Sequence, residues 1–147
     1  MSVTISGSDN LVLQVVNATY GTQVSNGSTT YADTGLTATI TPKFSTSKIL
    51  VLVHQSSIAK DGATSVNTKL LRNSTNILVF GGTMSASASA ANTSASSASC
   101  SYLDSPATTS AVTYKTQFAI NNGSGVTAYV QWNSIGFSSI TLMEIAG

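Results

Sequence analysis

Charged residues are scarce in this chain of 147 residues, since Asp, Glu, Lys and Arg together make up only 7% of it. An ordinary soluble domain contains about 25%. Six basic residues stand against five acidic ones, which leaves a formal net charge of +1. Such a chain has no extended field that attracts nucleic acid, anionic lipid or an acidic substrate. The composition therefore predicts no nucleic-acid partner and no membrane partner, and a near-neutral surface that repels its own copies only weakly.

Cysteine and histidine each occur once, as Cys100 and His54. A single cysteine forms no disulfide within the chain, and this favours folding in a reducing cytoplasm over secretion as a disulfide-stabilised domain. The two residues are too few for a zinc site, which usually needs about three or four nitrogen or sulfur ligands. The sequence also contains no calcium-binding loop and no phosphate-binding glycine-rich motif. We therefore expect no metal and no cofactor.

Long apolar runs are missing as well. The strongest run, residues 49–53 with the sequence ILVLV, is far shorter than the roughly 20 residues that cross a bilayer. Residues 1–20 lack the basic start and the apolar stretch of a signal peptide. Both observations favour a protein that is made in a cytoplasm and has no membrane partner.

Few side chains qualify as catalytic groups. His54 follows the ILVLV run on the strand face that it shares with Leu50 and Leu52. This setting predicts a structural histidine, partly buried and hydrogen-bonded, rather than a general base. Asp33 and Asp61 lie next to turn-forming glycines and are expected to accept hydrogen bonds from their own backbone. The sequence therefore predicts that the protein is not an enzyme.

Glu144 differs from the other acidic residues because it lies in an apolar segment, between Met143 and Ile145. A carboxylate that is buried in such a segment needs a compensating partner. We expect an ion pair with Arg72 or with a lysine, and we expect this pair to be structural rather than catalytic.

Apolar and polar residues alternate with a period of two along most of the chain, which is the pattern of half-buried β-strands. Turn-forming pairs such as Asn26-Gly27 separate the runs. Without helical periodicity, this spacing predicts an all-β protein, an antiparallel β-sandwich or a jelly roll. The predicted strands are residues 11–20, 36–41, 49–56, 68–72, 77–80 and 140–145.

Two further alternating runs, residues 112–120 and 126–132, flank the sequence Asn-Gly-Ser-Gly at 122–125. Asn and Gly tolerate the positive φ of a tight turn, so the pattern predicts a β-hairpin. Trp132 shares a strand face with Val130 and is expected to lie in the core. A sugar-binding platform on either face of this strand is the alternative.

The run at residues 49–53 carries apolar side chains on both of its strand faces. Such a strand is expected at the centre of a sheet with both faces covered. A neighbouring subunit is one way to cover the second face. This strand is the support for self-association that comes from the residues themselves.

Residues 85–101 break the alternating pattern, with the sequence SASASAANTSASSASCS. Side chains this small bury too little apolar area to offset the entropy lost on ordering. We therefore expect a long surface loop. The alternative is a strand whose small side chains press close to another backbone, as at a symmetry axis.

Four stretches of the chain carry a resemblance to a known group of proteins: residues 31–42 (YADTGLTATITP), 45–53 (STSKILVLV), 69–73 (KLLRN) and 139–145 (SITLMEI). In these stretches the chain resembles small virion proteins and fibre-end domains of tailed bacteriophages, many of them cyanophage-like. The resemblance extends over residues 11–83 and 110–147, with the Ser/Ala-rich segment 85–101 as a variable insertion. It rests on the pattern of these phrases and brings no catalytic signature with it.

The resemblance implies a jelly-roll-like antiparallel β-sandwich that assembles as a homotrimer on a phage capsid or at the end of a tail or head fibre. Proteins of this group serve as decoration, as connectors or as receptor-contacting tips. We therefore expect one β-sandwich domain over residues 11–147 that acts in the virion. Its expected partners are its own copies and other virion proteins.

Three residues are candidates for contacts with those partners. Residues 1–10 form a candidate docking arm, in which Val3 and Ile5 add a strand to a partner sheet. An alternative function is a receptor-binding fibre tip that contacts host surface glycans, and Tyr102, beside the Ser/Ala-rich segment, is then the candidate receptor contact. A cellular carbohydrate-binding or adhesin-like module is a third interpretation.

Overall fold

A computed structural model describes residues 11–81, 96–122 and 125–147. The candidate docking arm, with Val3 and Ile5, lies outside the described residues. The described residues form ten strands and one short 3₁₀ helix, η1 (Trp132–Ser134), between the last two strands. The strands are β1 (Val12–Tyr20), β2 (Val24–Asn26), β3 (Ala32–Ile40), β4 (Lys48–Lys60), β5 (Val66–Arg72), β6 (Thr75–Phe80), β7 (Ser96–Asp104), β8 (Val112–Ile120), β9 (Ala128–Val130) and β10 (Ser138–Ile145).

Six of these strands form one antiparallel sheet around β4, which is 13 residues long. The first part of β4 pairs with β10 and with β7, and its last two residues pair with β9. Beyond these strands, β1 pairs with β10, and β2 pairs with β9. Because β4 contacts three strands, it joins both ends of this sheet.

The remaining strands form a second antiparallel sheet in the order β3-β8-β5-β6. The inner faces of the two sheets pack against each other, so that Leu36 and Ile40 of β3 belong to one apolar cluster with Val51 of β4 and Leu142 of β10. Apolar burial of this kind is the main stabilising term of a small domain. The prediction of an all-β protein with an antiparallel β-sandwich is therefore confirmed.

A layer of polar side chains separates two apolar clusters inside the sandwich. Along the inner face of β8, Tyr114 belongs to the larger cluster and Phe118 to the smaller one, and Thr116 lies between them. On β4, Gln55 lies in the same way between Val53 and Ile58. The sandwich therefore contains two apolar cores rather than one continuous core.

Hydrogen bonds connect this polar layer from one sheet to the other. The Thr116 hydroxyl donates to Oε1 of Gln55 over 3.0 Å, and Nε2 of Gln55 donates to the Ser138 hydroxyl over 2.8 Å. The hydroxyls of Thr34 and Thr116 lie 2.5 Å apart. All four residues have an exposed fraction of 0%. Buried polar groups are tolerated where they pair with each other, so this layer fixes the alignment of the two sheets.

The six strands predicted one by one all correspond to strands of the structure, namely β1, β3, β4, β5, β6 and β10. Their ends differ by a few residues, and β4 continues to Lys60 rather than ending at residue 56. The short strand β2 was not predicted, because three residues are too few to show a period of two.

The predicted hairpin of residues 112–120 and 126–132 is wrong. Its first run is β8, but β9 pairs with β2 and β4 in the other sheet. Ala128 and Val130 of β9 share an apolar cluster with Phe118 of β8, so these strands face each other across the core. Alternation predicts which side chains point inward, but it does not predict which sheet a strand joins.

Trp132 is not a core residue of a strand, as the alternation had predicted. It begins η1 directly after Gln131, which has a left-handed conformation with φ 49°, and it is half-buried. The left-handed residue ends the alternation of β9, and Trp132 therefore leaves the strand face that Val130 occupies.

For residues 96–101 the expected surface loop is wrong, because they form most of β7 and pair with β4. Ala98 and Cys100 pack against the larger apolar cluster. A Cβ added to Gly81 would lie 2.5 Å from Cβ of Ala98, so the backbone approaches this strand closely and a larger side chain does not fit. The alternative of a small-residue strand is thus confirmed for this part, and residues 85–95 lie outside the described residues.

Candidate functional site

Side chains on the outer face of the six-stranded sheet form rows that cross four strands. The register places one apolar side chain from each strand in a single row: Val15, Met143, Leu50 and Leu103. Val15 and Leu103 at the two ends of the row are 56% and 52% exposed, and the two residues between them are half-buried. We call these four residues the outer apolar row.

The two rows that follow on one side of the outer apolar row are polar but uncharged. One contains Leu52, which is 39% exposed, among three polar side chains: Asn17, Thr141 and Ser101. The next row consists of Thr19, Ser139, His54 and Ser99. The three rows together contain no carboxylate, lysine or arginine. On the other side of the outer apolar row, Ile145 pairs with the exposed Lys48, so a partner that covers the whole face meets one lysine at its edge.

The outer face of the four-stranded sheet is different, because it carries ionic groups. Nζ of Lys115 lies 2.9 Å from Oδ2 of Asp33, and Nε2 of Gln117 donates to Oδ1 of the same carboxylate over 2.6 Å. Nζ of Lys69 lies 4.0 Å from the centre of the Tyr31 ring. Charged groups are costly to remove from water, so this face is suited to solvent and the outer apolar row is suited to a partner.

The structure also shows what the apolar run at residues 49–53 does. One face of this run, with Val51, lies in the core, whereas Leu52 on the other face stays exposed. His54 is exposed as well, and its Nδ1 lies 3.1 Å from the Ser99 hydroxyl. The predicted hydrogen bond of His54 is confirmed, but its predicted partial burial is wrong, because the described part of the chain leaves this face uncovered.

Glu144 is fully buried, with an exposed fraction of 0%, but the predicted ion pair is wrong. Its Oε2 accepts a hydrogen bond of 2.6 Å from Nε2 of Gln14, and its Oε1 accepts one of 2.7 Å from the backbone N–H of Lys43. Neutral donors thus take the role that was expected for Arg72. The carboxylate holds the start of β4 and the loop before it against β1, which is a structural role.

The pKa of Glu144 follows from this setting. Burial favours the neutral acid and raises the pKa, but the hydrogen bonds from Gln14 and from the backbone amide of Lys43 favour the carboxylate. The donors prevail, so the pKa of Glu144 lies below its ordinary value.

Arg72 instead pairs with Asp104, at 2.9 Å between Nη1 and Oδ1. The Tyr114 hydroxyl donates to Oδ2 of Asp104 over 2.7 Å, and both Tyr114 and Asp104 are buried. Burial, together with the hydrogen bond to the negative Asp104, raises the pKa of Tyr114. This cluster of three residues joins β5, β7 and β8 at one end of the sandwich.

Asp33 and Asp61 were both expected in turns with bonds to their own backbone. For Asp33 this is wrong, because it lies in β3 and binds Lys115 and Gln117 across the sheet. Burial raises the pKa of Asp33, but these two donors outweigh burial, so the pKa lies below its ordinary value. Asp61 does follow β4 in a turn, yet its Oδ1 accepts a bond of 2.6 Å from the backbone N–H of Thr127. That donor is the main reason why the pKa of Asp61 is lowered.

Tyr102 lies in β7 opposite Val51, is half-buried and packs against the larger apolar cluster. Its predicted place in a loop is therefore wrong, because the segment around it is a strand. A receptor contact at Tyr102 stays a prediction, and so do the docking contacts of Val3 and Ile5.

Other kinds of site find little support in the described residues. An open pocket of about 150 Å³ lies at the bulge of β3 and is lined by Asp33, Gly35, Leu36, Thr37 and Lys115. Ligand sites for larger molecules usually measure about 300–1,000 Å³. Residues 11–81, 96–122 and 125–147 contain no group of three or more His, Cys, Asp or Glu that could hold a metal ion.

No helix in these three ranges has both the length and the apolar character that a membrane span needs.

Sequence reasoning missed most of the outer apolar row, since it singled out only the β4 residues. The sequence did contain a signal for two of the other residues, because β1 and β10 carry apolar residues on both strand faces. Val15 is such a residue in β1, and Met143 is one in β10. Leu103 gave no such signal, since its strand was expected to be a loop.

Two comparisons with other proteins identify no relative of this chain. A scan against models of protein families finds no match, and a search of curated proteins finds none either. The function is therefore argued from the residues and the geometry.

Proposed function

We propose that the protein is a structural component of a bacteriophage virion: a homotrimeric decoration or short fibre protein on the capsid or tail, with a jelly-roll-like sandwich. It is made in the host cytoplasm and acts through contacts with its own copies and with other virion proteins, not through catalysis. The observation that carries the proposal is the outer apolar row. The virion setting comes from the resemblance of residues 31–42, 45–53, 69–73 and 139–145 to phage proteins.

The outer apolar row supports self-association because it costs free energy in water. Val15 and Leu103 of the row are 56% and 52% exposed, and Leu52 in the next row is 39% exposed. Each Å² of apolar surface that a partner covers contributes about 25 cal/mol. Four strands spaced about 4.8 Å apart, with about nine residues each, present a face of roughly 20 by 30 Å. This is of the order of the ~800 Å² that each partner contributes to a stable interface.

The chemistry of the neighbouring rows fits a second copy of the same chain. Asn17, Thr141 and Ser101 offer neutral donors and acceptors beside Leu52, and such groups can form hydrogen bonds with neutral polar groups of a neighbouring copy. A formal net charge of +1 gives little repulsion between copies. The threefold arrangement follows from the resemblance, and it closes a ring in which every outer apolar row is covered.

The native mass of the full chain in solution tests the trimer, by size exclusion with light scattering. We expect three times the chain mass of 15.0 kDa. Val15→Glu should lower the mass to that of one chain, because it places a charge inside the contact. Val79→Glu is the matched control: Val79 is also 56% exposed, but it lies on β6 of the other sheet, and this variant should remain a trimer.

Two results would contradict the trimer: a monomeric wild-type protein, or equal masses for the two variants. The virion setting has a separate test, which is binding of the purified trimer to empty capsids of cyanophage-like tailed phages. A stable trimer that binds no such particle would leave the self-association intact and would overturn the decoration role.

A further inference from the structure

The segment between β9 and β10 presents the two most exposed large apolar side chains of the described residues. Phe137 is 71% exposed and Ile135 is 65% exposed. Both lie in residues 131–137, which we call the β9–β10 loop. Neither belongs to the outer apolar row, since Phe137 and Met143 are six positions apart in the sequence, or about 20 Å along a strand. The loop is therefore a second exposed apolar surface at the other end of the sheet.

The ring of Phe137 rests on the backbone of β1. The register pairs Tyr20 with Ser138, so the next position places Gly21 opposite Phe137. A Cβ added to Gly21 would lie 2.6 Å from Cδ1 and from Cε1 of the ring. The glycine thus leaves the space that the ring fills. One side of the ring is supported by the strand, and the exposed side forms an apolar platform.

The loop holds an unusual backbone conformation. Gln131, Asn133 and Ser134 have positive φ values of 49°, 56° and 53°, and Gly136 has 78°. For residues other than glycine this conformation costs about 1 kcal/mol or more each, and it persists only where surrounding contacts enforce it. The loop is therefore shaped before any ligand arrives.

Hydrogen bonds from neighbouring elements enforce that shape. The buried Gln131 donates from Nε2 to the Ser138 hydroxyl over 2.7 Å, and the Ser57 hydroxyl donates to the carbonyl oxygen of Ile135 over 2.9 Å. These bonds tie the loop to β4 and β10. A shaped loop loses little entropy when it binds, which favours recognition of a small ligand.

Neutral polar groups surround this loop. The backbone N–H of Asn133 donates to Oε1 of Gln23 over 2.7 Å, and the backbone N–H of Gln23 donates to the Ser134 hydroxyl over 3.4 Å. The side chains of Gln23, Asn133 and Ser134 are exposed. Residues 19–28 and 126–143 contain no Asp, Glu, Lys, Arg or His. The surface thus combines an aromatic platform with amides and hydroxyls. These two segments contribute no charged group, and on β4 the register places His54 opposite Ser139.

We propose that the β9–β10 loop is a binding site for neutral saccharides. The apolar C–H face of a pyranose ring stacks on Phe137, and its hydroxyls exchange hydrogen bonds with the amides of Asn133 and Gln23. The same surface does not suit nucleic acid, although bases also stack on aromatic rings, because no cation is present to bind the phosphates. The lack of cations likewise selects against acidic sugars.

The Phe137 ring lies on the same outer face as the outer apolar row, but at the other end of the sheet, beyond the pair Thr19 and Ser139. The two claims also have different readouts, which are saccharide affinity for the loop and native mass for the row. Either claim can fail alone.

Titration of the full chain, followed by the backbone amide signals in NMR, tests the site. The probes are neutral tetrasaccharides of glucose, galactose, mannose and N-acetylglucosamine. We expect at least one of them to shift signals of residues 131–137 and 21–23. Phe137→Ala should weaken that binding about tenfold, as the loss of one stacked aromatic contact does. Phe137→Tyr keeps the ring and should bind like the wild type.

Phe44→Ala is the matched control, since Phe44 is 57% exposed but lies in the loop between β3 and β4. This variant should keep the wild-type affinity. The proposal is overturned if no tetrasaccharide shifts these signals, or if the two alanine variants weaken binding equally. It is also overturned if Phe137→Ala changes the native mass, because the ring would then belong to a contact between subunits.

Discussion

Nε2 of Gln14 lies 2.6 Å from Oε2 of Glu144, so an amide of β1 binds the carboxylate of the paired strand in the buried interior. The second donor to this carboxylate is the backbone N–H of Lys43, so both donors are neutral. The charge is thus held by dipoles that the fold has already oriented. A carboxylate held in this way stays ionised at lower pH than a free one.

The first prediction concerns this carboxylate and pH. Because the pKa of Glu144 is lower in the folded chain than its ordinary value, the ionised form stabilises the fold above about pH 4.5, the ordinary range. This contribution is lost as the pH falls through the lowered pKa. We expect the free energy of unfolding, measured with urea between pH 7 and pH 3, to decrease toward acid.

Glu144→Gln should flatten part of that decrease, since the titrating group is gone. A residual slope should remain, because Asp33 and Asp61 also have lowered pKa values. At pH 7 the variant should lose about 1–3 kcal/mol, because its amide cannot accept both bonds. Equal slopes for the variant and the wild type would contradict this prediction.

A second prediction concerns the hydrogen bond from Tyr114 to Asp104. Tyr114→Phe removes the hydroxyl that donates a hydrogen bond of 2.7 Å to the buried carboxylate. We expect the free energy of unfolding, measured with urea, to fall by about 1.5–3 kcal/mol. Tyr129→Phe is the control, since it removes a hydroxyl that donates to Asp61 over 3.0 Å at an exposed site. It should cost less than about 1 kcal/mol. Similar losses for both variants would show that burial of Asp104 does not matter.

Two glycines with left-handed backbones provide a third prediction. Gly35 has φ 88°, and a Cβ there would overlap Cε1 of the Tyr20 ring, whereas Gly125 has φ 76° and no heavy atom of the described residues within 4 Å of the added Cβ. Gly125→Ala should cost about 1 kcal/mol, from the backbone alone. Gly35→Ala should cost at least about 2 kcal/mol, because the ring must also move. Thermal unfolding of both variants measures the difference, and equal losses would refute the steric part.

A fourth prediction tests the polar layer between the two apolar clusters. Thr116→Val leaves Oε1 of Gln55 and the Thr34 hydroxyl without their bonds to Thr116, which should cost about 1–3 kcal/mol. Thr113→Val makes the same change three residues earlier, on the outer face of β8, where it loses only the exposed bond to Thr39. We expect a change within about 0.5 kcal/mol there. If the Thr116→Val variant is as stable as the Thr113→Val variant, this prediction is wrong.

Much of the fold was predictable because the alternation marks strands and their inward faces. It succeeded for β1, β4 and β10, where apolar residues recur over many positions. It failed for β7, because Ala98 and Cys100 are too small to stand out as apolar residues. The small side chain of Ala98 is needed where Gly81 approaches the strand closely, and no local pattern encodes that approach. It also failed to assign β9 to its sheet, because strand partners depend on contacts far apart in sequence.

The candidate site was predictable only in part, for a related reason. Leu50 and Leu52 stood out because they interrupt the expected polar face of one strand. Val15 and Leu103 can be recognised as part of one surface only when the strand register is known, because the register places them in the same row. For Glu144 the sequence indicated burial but suggested the wrong partner, since backbone amides such as that of Lys43 do not appear in a comparison of side-chain charges.

The difference between the two outer faces limits how far an assembly of this protein can grow. Contact through the face with the outer apolar row leaves the ionic face, with Asp33 and Lys115, directed toward water. Once the row is covered, the sheet faces offer no second apolar surface of the same kind on which another layer could nucleate. The proposed association through this face would therefore end at a small, closed number of subunits instead of continuing into stacks or fibrils.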